Sequence, residues 1–254
     1  MCKVLTPGAS YGWRARIGML VPSVPMDTNV HEFYLMAPEG VSLIIAPMGV
    51  RRMAQEEYDR AMANIEEPLR LVAEQKADVI IQAGVPPLVT HGPGFEAQVL
   101  ARVAEVTHLP FFTDVGASTR AMKALGLSRI VMLSNSFDDG LVANISDYLK
   151  PAGISLVAAA QVGLARTESG CVPLEVVYRA ARDLFESHAR DADGIWITQA
   201  SMPSVGVIEE LERSLGVPVV SSAQALMWAG LRAAGVRDAL EGFGQLFAID
   251  RLPE

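Results

Sequence analysis

A short apolar run, with an acidic residue in front and polar or glycine residues behind, occurs twice in the chain. The first copy is residues 78–84, Asp-Val-Ile-Ile-Gln-Ala-Gly, and the second is residues 193–199, Asp-Gly-Ile-Trp-Ile-Thr-Gln. Patterns with helical periodicity precede the two runs, over residues 58–74 and 174–188. An amphipathic segment, a strand containing Leu-Pro or Val-Pro, and a helix closed by glycine follow each run. The pattern predicts two copies of one α/β unit.

The rest of the pattern surrounds these two copies with further strands and helices. Buried strands are predicted at residues 16–21 and 41–46, each stopped by a proline, with a long polar loop over residues 22–31 between them. Prolines and glycines in residues 85–94 favour a rigid, irregular turn over a helix. The other predicted elements are helices at 117–125 and 141–149, strands at 128–134 and 154–159, and a loop at 165–173.

Alternating strands and helices indicate parallel sheets, so the predicted fold class is α/β. We expect a first repeat over residues 1–113, a second over 114–222, and a C-terminal helix over 223–254 that packs back on the first. Ligands of open parallel sheets bind outside the carboxyl ends of the strands. Because Gly84 and Gln199 end equivalent strands, they are expected to line one pocket.

Composition excludes several classes of function. Half of the 254 residues are apolar, 20% are charged, and the net charge of -8 argues against nucleic acid and acidic membrane surfaces as partners. No apolar run is long enough for a membrane span, and two cysteines, Cys2 and Cys171, suit a reducing cytoplasm. The four histidines lie far apart without ligand spacing, so no metal site is expected. Dinucleotide-binding, P-loop and serine-hydrolase motifs are absent from the sequence.

Three segments carry a family resemblance: residues 17–23 (Ile-Gly-Met-Leu-Val-Pro-Ser), 125–131 (Leu-Gly-Leu-Ser-Arg-Ile-Val) and 215–228, which starts Leu-Gly-Val-Pro-Val-Val-Ser-Ser. With them the chain resembles the maleate isomerase and arylmalonate decarboxylase group of the aspartate/glutamate racemase superfamily. The resemblance implies two pseudo-symmetric parallel α/β domains of flavodoxin-like type. It also implies a small carboxylic acid or carbonyl compound bound between them, and no cofactor.

The chemistry of that superfamily rests on cysteines at the ends of the two repeated strands. The resemblance places Gly84 at the first cysteine position and Gln199 at the second, so this chain has neither thiol. A thiolate can act as base, acid or nucleophile because its pKa can be tuned near neutrality. A glutamine amide only donates and accepts hydrogen bonds. Any chemistry here must use other groups.

Four side chains are candidates for moving a proton. His91 follows the turn at Gly84 and His31 follows the first strand, and either could act as a general base near neutral pH. Asp114 ends a strand, where burial could raise the pKa of its carboxyl group. Cys171 lies in the loop before the last long helix of the second copy. The plain alternative for each histidine is a solvent-exposed loop residue, and for Cys171 it is an inert small side chain.

The candidate substrate-binding groups are residues at or after strand ends, where main-chain N–H groups and short polar side chains can hold a carboxylate. Arg51 and Arg52 could pair with a carboxylate or form surface ion pairs with Glu56 or Glu57. The candidate substrate-binding residues are Ser23, Asn29, Gly84, Val85, Ser134, Asn135, Ser136, Gln199, Ala200 and Ser201.

The resulting expectation is a cofactor-independent enzyme that acts on a small carboxylic acid by decarboxylation or cis-trans isomerisation, in a homo-oligomer. Decarboxylation makes the smallest demand on the missing thiols. Two alternatives stay open: a hydrolase or hydratase with water activated by histidine or aspartate, and a non-catalytic protein that binds small anions.

Overall fold

Two parallel four-stranded sheets with the same strand order make up the two halves of the chain. The computed structural model describes residues 10–23 and 27–253. In the first half the strands are β1 (Ala15–Ser23), β2 (Val41–Val50), β3 (Val79–Gln82) and β4 (Phe111–Thr113), in the order β2-β1-β3-β4. In the second half they are β5 (Arg129–Ser134), β6 (Ser155–Gln161), β7 (Gly194–Ile197) and β8 (Val219–Ser221), in the order β6-β5-β7-β8. This common topology confirms the predicted α/β fold with a duplicated unit.

Helices connect the strands and cover the sheets. The first half contains α1 (Asp27–Met36), α2 (Gln55–Ala63), α3 (Glu66–Glu74), α4 (Pro86–Val89), α5 (Phe95–Val106) and α6 (Asp114–Ala124). The second half contains α7 (Asp139–Leu149), α8 (Leu174–His188), α9 (Ile208–Leu215) and α10 (Ser222–Ala233). None of the described helices is both long and apolar enough to cross a bilayer.

The central strands are buried on both faces. Residues of β3 and β7 are completely or almost completely shielded from solvent, Trp196 among them, which explains why both read as short uninterrupted apolar runs. In register, Ile17 of β1 pairs with Val79, and Ile130 of β5 pairs with Gly194. Equivalent strands therefore end at equivalent heights, and the residues that follow them reach the same edge of each sheet.

Helices α6 and α10 follow the last strands of the two sheets and pack against each other. Both begin with a capping residue, Thr113 and Ser221 respectively, whose side chain accepts from a main-chain N–H of the first turn. A Cβ at Gly230 of α10 would contact Ile81 and Ile17 at 3.4 and 3.5 Å. The C-terminal helix therefore packs against the first sheet, and the two halves share one apolar core.

Several predicted boundaries were wrong. Strand β2 continues through Pro47, because it is the edge strand of its sheet and an edge strand tolerates a missing N–H. Residues 22–31 are not one loop, since α1 begins at Asp27. Residues 85–94 contain a short helix, α4, with Pro86 and Pro87 in its first turn, where a proline N–H is not needed. The pattern over 58–74 is two helices, α2 and α3, rather than one.

Candidate active site

A cavity lies at the carboxyl ends of the central strands of both sheets. Gly84 follows β3, Gln199 follows β7, and both line this cavity, as the duplicated pattern predicts. Its empty volume, including open solvent at its mouth, is about 560 Å³. Most of its wall is apolar. The lining residues are Val21, Pro22, Asn29, Val50, Met53, Tyr58, Ala83, Gly84, Val85, Pro86, Pro87, Phe137, Gln199, Ala200 and Ser201.

The chain turns sharply at Gly84. Its φ is +92°, and a Cβ placed there would lie 2.6 Å from Cγ of Pro22. Both the backbone conformation and the available space therefore require glycine. The N–H of Gly84 donates to the Asp114 carboxylate over 2.8 Å, so this donor stabilises the turn and faces the protein.

Asp114, predicted as a catalytic group, is completely buried and does not belong to the cavity lining. Burial raises the pKa of its carboxyl group to about 6, although hydrogen bonds from Ser222, Gly84 and Ser118 favour the charged form. Ser222 begins α10, and Gly84 belongs to the cavity turn. The carboxyl group therefore joins the pair of helices α6 and α10 to that turn. In this place it positions the turn and does not contact a ligand.

The side chain of Gln199 is held by the second half of the chain. Its Oε1 accepts from the main-chain N–H groups of Asn135, at 3.1 Å, and Ser136, at 3.2 Å. Its Nε2 donates to Oγ of Ser169 at 2.8 Å. The Asn135 amide donates to the same Oγ at 2.8 Å and to the Leu164 carbonyl at 3.0 Å. This network fixes the loop after β6 above the end of β7.

The predicted substrate-binding residues divide into two groups. Those that line the cavity are Asn29, Gly84, Val85, Gln199, Ala200 and Ser201, and those that lie behind its wall are Ser134, Asn135 and Ser136. The hydroxyl of Ser134 accepts from the N–H of Phe137 at 3.4 Å, which uses it locally. The side chain of Ser23 lies outside the described part of the structure.

His91, predicted as a general base, lies outside the cavity wall. Its Nδ1 lies 2.9 Å from the Pro87 carbonyl and its Nε2 lies 2.9 Å from the Asp59 carboxylate. The ring also stacks on Phe95 with centroids 4.0 Å apart. The imidazole therefore fastens α4 to α2 and α5, and it acts on the cavity only through the turn that it supports.

His31 and Cys171 are likewise absent from the cavity lining. His31 lies on the exposed face of α1, because the buried face of that helix is formed by Asn29, Phe33 and Met36. It borders a separate surface cleft between α1 and the second half. Cys171 is an exposed thiol that ends a short 3-10 helix.

Sequence reasoning did not select nine of the fifteen lining residues, and four of these bear on the chemistry of the cavity: Val50, Met53, Tyr58 and Phe137. Val50 is the last residue of β2, and Met53 and Tyr58 follow that strand. Of the residues at this strand end, only Arg51 and Arg52 were predicted to contact a carboxylate. Arg52 makes an exposed contact of 3.6 Å with Glu56, as the plain alternative predicted. Tyr58 was predicted as the first residue of one helix over 58–74, whereas it lies in the first half of α2, which begins three residues earlier.

Glu32 connects the two halves near the cavity. Its Oε1 accepts from the main-chain N–H groups of Ser204 and, at 2.9 Å, Val205, and its Oε2 lies 3.2 Å from the Ser204 hydroxyl. Only 3% of Glu32 is exposed, and burial raises the pKa of its carboxyl group to about 7 despite these hydrogen bonds. Asn29 lies one turn earlier on α1, so this contact positions a lining residue.

We expect replacement of Glu32 by glutamine to change the pH dependence of stability. The carboxyl group has a pKa of 4.5 when unfolded and about 7 when folded, so its contribution is complete below pH 4.5 and is lost as pH rises through 7. Glutamine keeps the acceptor for both N–H groups without this loss. In urea unfolding, the free energy of unfolding of Glu32→Gln minus that of the wild type should increase by about 2–3 kcal/mol from pH 5 to pH 8.

The matched control is Glu39→Gln, because Glu39 is exposed on the first half. Its difference from the wild type should stay constant over the same pH range. An equally constant difference for Glu32→Gln would show that the buried carboxyl group is ionised throughout.

Within residues 10–23 and 27–253, no three histidine, cysteine, aspartate or glutamate side chains cluster as metal ligands would. The only titratable side chain among the described cavity-lining residues is Tyr58. The polar groups that remain are amides, a hydroxyl and main-chain N–H groups, a set suited to holding an anion.

Comparison with known proteins agrees with this architecture. The sequence profile of the arylmalonate decarboxylase family matches residues 17–247. The chain is 31% identical over 241 residues to arylmalonate decarboxylase of Bordetella bronchiseptica, covering 91% of this chain and 95% of that protein. It is 28% identical over 245 residues to maleate isomerase of Nocardia farcinica, covering 92% and 96%. The structure of that Nocardia enzyme bound to TRIS superposes with a TM-score of 0.82 and 27% identity, covering 92% of this chain and 97% of that one. Both relatives are enzymes, one a decarboxylase and one a cis-trans isomerase, and this chain belongs to the arylmalonate decarboxylase family.

Proposed function

We propose that the cavity binds a small acid with two carboxyl groups on one carbon and removes one of them as carbon dioxide without a cofactor. The observation that carries this proposal is the composition of the cavity wall. Apolar side chains from both halves face a space that also receives the ends of β3 and β7, and Tyr58 is the titratable group among its described lining residues.

Main-chain N–H groups after the strand ends would hold the carboxylate that stays. Val85, Ala200 and Ser201 line the cavity, and their N–H groups have no acceptor within the described part of the chain. Asn29 adds an amide from α1. Such donors stabilise the negative charge that develops on the remaining carboxylate when it becomes an enediolate.

The apolar part of the wall favours loss of the other carboxylate. Val21, Val50, Met53 and Phe137 offer no partner to a charged group, so a carboxylate placed against them loses hydration that carbon dioxide does not need. The bond between the α-carbon and this carboxylate breaks, and its electron pair stays on the α-carbon as part of the enediolate. The Tyr58 hydroxyl then gives its proton to the α-carbon, and water returns a proton to the phenolate.

The other reactions have less support from the geometry. Isomerisation through a cysteine adduct requires a thiol, and among the described residues none lines the cavity. A hydrolase with water activated by His91 or His31 requires an imidazole in the cavity, and both rings lie elsewhere.

The test is turnover of malonates that carry one methyl, phenyl or alkenyl substituent, followed by carbon-13 NMR in deuterium oxide. We expect one carbon dioxide for each malonate consumed and one deuterium at the α-carbon of the product. Conversion of maleate to fumarate without release of carbon dioxide would overturn the proposal in favour of isomerisation. Thermal stabilisation by a malonate without turnover would favour the anion-binding alternative.

A further inference from the structure

The side chain of Gln199 is bound in the way that a protein binds the carboxyl group of a ligand. A single oxygen accepts from two successive main-chain N–H groups, those of Asn135 and Ser136, at 3.1 and 3.2 Å. The nitrogen on the other side of the amide meets the hydroxyl of Ser169 at 2.8 Å and that of Ser136 at 3.5 Å. Successive N–H groups that converge on one point form a concave site for anionic oxygen.

The same groups could hold a carboxylate. The two N–H groups act only as donors, and each hydroxyl can donate as well as accept. If a carboxylate replaced the amide, one oxygen would keep both N–H groups. The other oxygen would receive the Ser169 hydroxyl proton in place of giving an N–H to it. Asn135 and Ser169 are buried, so the site is built into the fold before any ligand arrives.

The backbone at Gln199 is an unfavourable one for a residue with a side chain. Its φ is +80°, a region that favours glycine. The equivalent residue of the first half, Gly84, has φ of +92° and is glycine. A non-glycine residue persists in this conformation when its surroundings hold it there. Here the four hydrogen bonds of the Gln199 amide stabilise this backbone conformation.

The position of Gln199 connects this site to the cavity. The residue is 8% exposed and lines the cavity wall, while Asn135 and Ser136 lie directly behind it. Removing the side chain would extend the cavity to the two N–H groups.

We infer that the N–H groups of Asn135 and Ser136, with the Ser169 hydroxyl, form a carboxyl-binding subsite, and that the Gln199 carboxamide is its internal ligand. The native chain therefore excludes a substrate carboxylate from this end of the cavity. It takes acids whose carboxyl groups both lie near Val85, Ala200 and the apolar wall, and it rejects longer diacids that would need the second subsite. This inference rests on the proposed function only for the class of ligand.

The first test compares Gln199→Gly with Gln199→Met in thermal unfolding titrated with sodium acetate. Glycine opens the subsite and suits the backbone, whereas methionine fills a similar volume without an acceptor for the N–H groups. Sodium chloride at matched ionic strength is the salt control. Acetate that binds at Val85 and Ala200 should stabilise all three proteins alike, so the second subsite is reported by the difference between them. We expect an additional saturable rise in the Tm of the glycine variant, of about 5–10 °C at a hundredfold excess over Kd, that the wild type and the methionine variant lack. Equal acetate effects on the wild type and both variants would overturn the inference.

A second variant, Gln199→Glu, tests the subsite without an added ligand and serves if the glycine variant does not fold. A carboxylate bound by two N–H groups has a lowered pKa, so its contribution to stability is present at high pH and lost as pH falls. We expect the Tm of Gln199→Glu, relative to the wild type, to be higher at pH 8 than at pH 4. A lower relative Tm at pH 8 would show that the groups reject a carboxylate. Neither measurement uses turnover, so failure of the subsite leaves the decarboxylation assay as a separate test.

Discussion

Replacing Tyr58 by phenylalanine is expected to lower kcat for the malonate that is turned over fastest by about 100-fold or more, the usual loss when a positioned proton donor is removed. Tyr58 is 5% exposed, lines the cavity and packs with Val50 and Ala61. Phenylalanine keeps this packing and removes only the hydroxyl group. The enediolate would then take its proton from water, and the rate of protonation relative to the rate of carbon dioxide release would change. Steady-state kinetics, with unfolding in urea as a check of the fold, measure the effect.

The matched control is Tyr34→Phe. Tyr34 lies on α1, is 54% exposed and does not line the cavity, so the same chemical change there should leave kcat within twofold of the wild type. If Tyr58→Phe retains more than a third of the wild-type kcat, the proton comes from another group. An unchanged product in deuterium oxide would then indicate that water held by Ser201 or Asn29 supplies the proton.

The positions of Gly84 and Gln199 were predictable because they depend on short-range pattern and one topological rule. Each follows a short apolar run, and parallel strands of a duplicated unit bring their carboxyl ends to corresponding places. Both residues line one cavity in the structure. The same rule selected Asn29, Val85, Ala200 and Ser201, whose main chains leave strand ends or the helix beside them.

The directions of the side chains were not predictable in this way. His91 follows a strand end, but its ring turns away because α2 supplies Asp59 and α5 supplies Phe95 on the other side of α4. Asp59 is far from His91 in sequence, and both contacts depend on how α2, α4 and α5 pack together. Tyr58 reaches the cavity for the same reason, through the packing of α2 beside β2. Periodicity places a residue on an element and does not show which neighbour receives its side chain.

Gln199 shows a second limit. Its amide was expected to donate and accept hydrogen bonds toward a substrate. The partners are instead the N–H groups of Asn135 and Ser136, which leave the end of β5. Backbone donors carry no signature in the sequence, so a side chain that binds them internally looks the same as one that waits for a ligand.

The second large effect is expected at Arg232, which fastens the C-terminal segment to α10. Its guanidinium group donates to the main-chain carbonyls of Ile249 at 2.8 Å, Val236 at 2.9 Å, Asp238 at 3.1 Å and Phe247 at 2.8 Å. Arg232 is 7% exposed. One planar side chain thus satisfies four carbonyl groups of a segment that has little regular structure of its own.

Methionine keeps the apolar stem of Arg232 but removes the donor to the carbonyl groups of Val236, Asp238 and Phe247, whereas Ile249 still accepts from the Trp228 indole. Arg232→Met should therefore lower the free energy of unfolding by about 3–5 kcal/mol. The free energy of unfolding of Arg232→Lys should lie between those of the wild type and Arg232→Met, because an ammonium group cannot reach four acceptors arranged for a planar guanidinium group. The control is Arg237→Met, at an exposed position of the same segment, where the change should stay within about 0.5 kcal/mol. Urea unfolding gives these values, and hydrogen exchange over residues 236–249 should show the loss of protection in Arg232→Met. Equal stability of the Arg232 and Arg237 variants would mean that water replaces the guanidinium group at these carbonyls. Helix α10 also carries Ser222, which hydrogen-bonds to Asp114 behind the Gly84 turn. Loss of the Arg232 hydrogen bonds should therefore also raise KM for the malonate, whereas Arg237→Met should keep the wild-type KM.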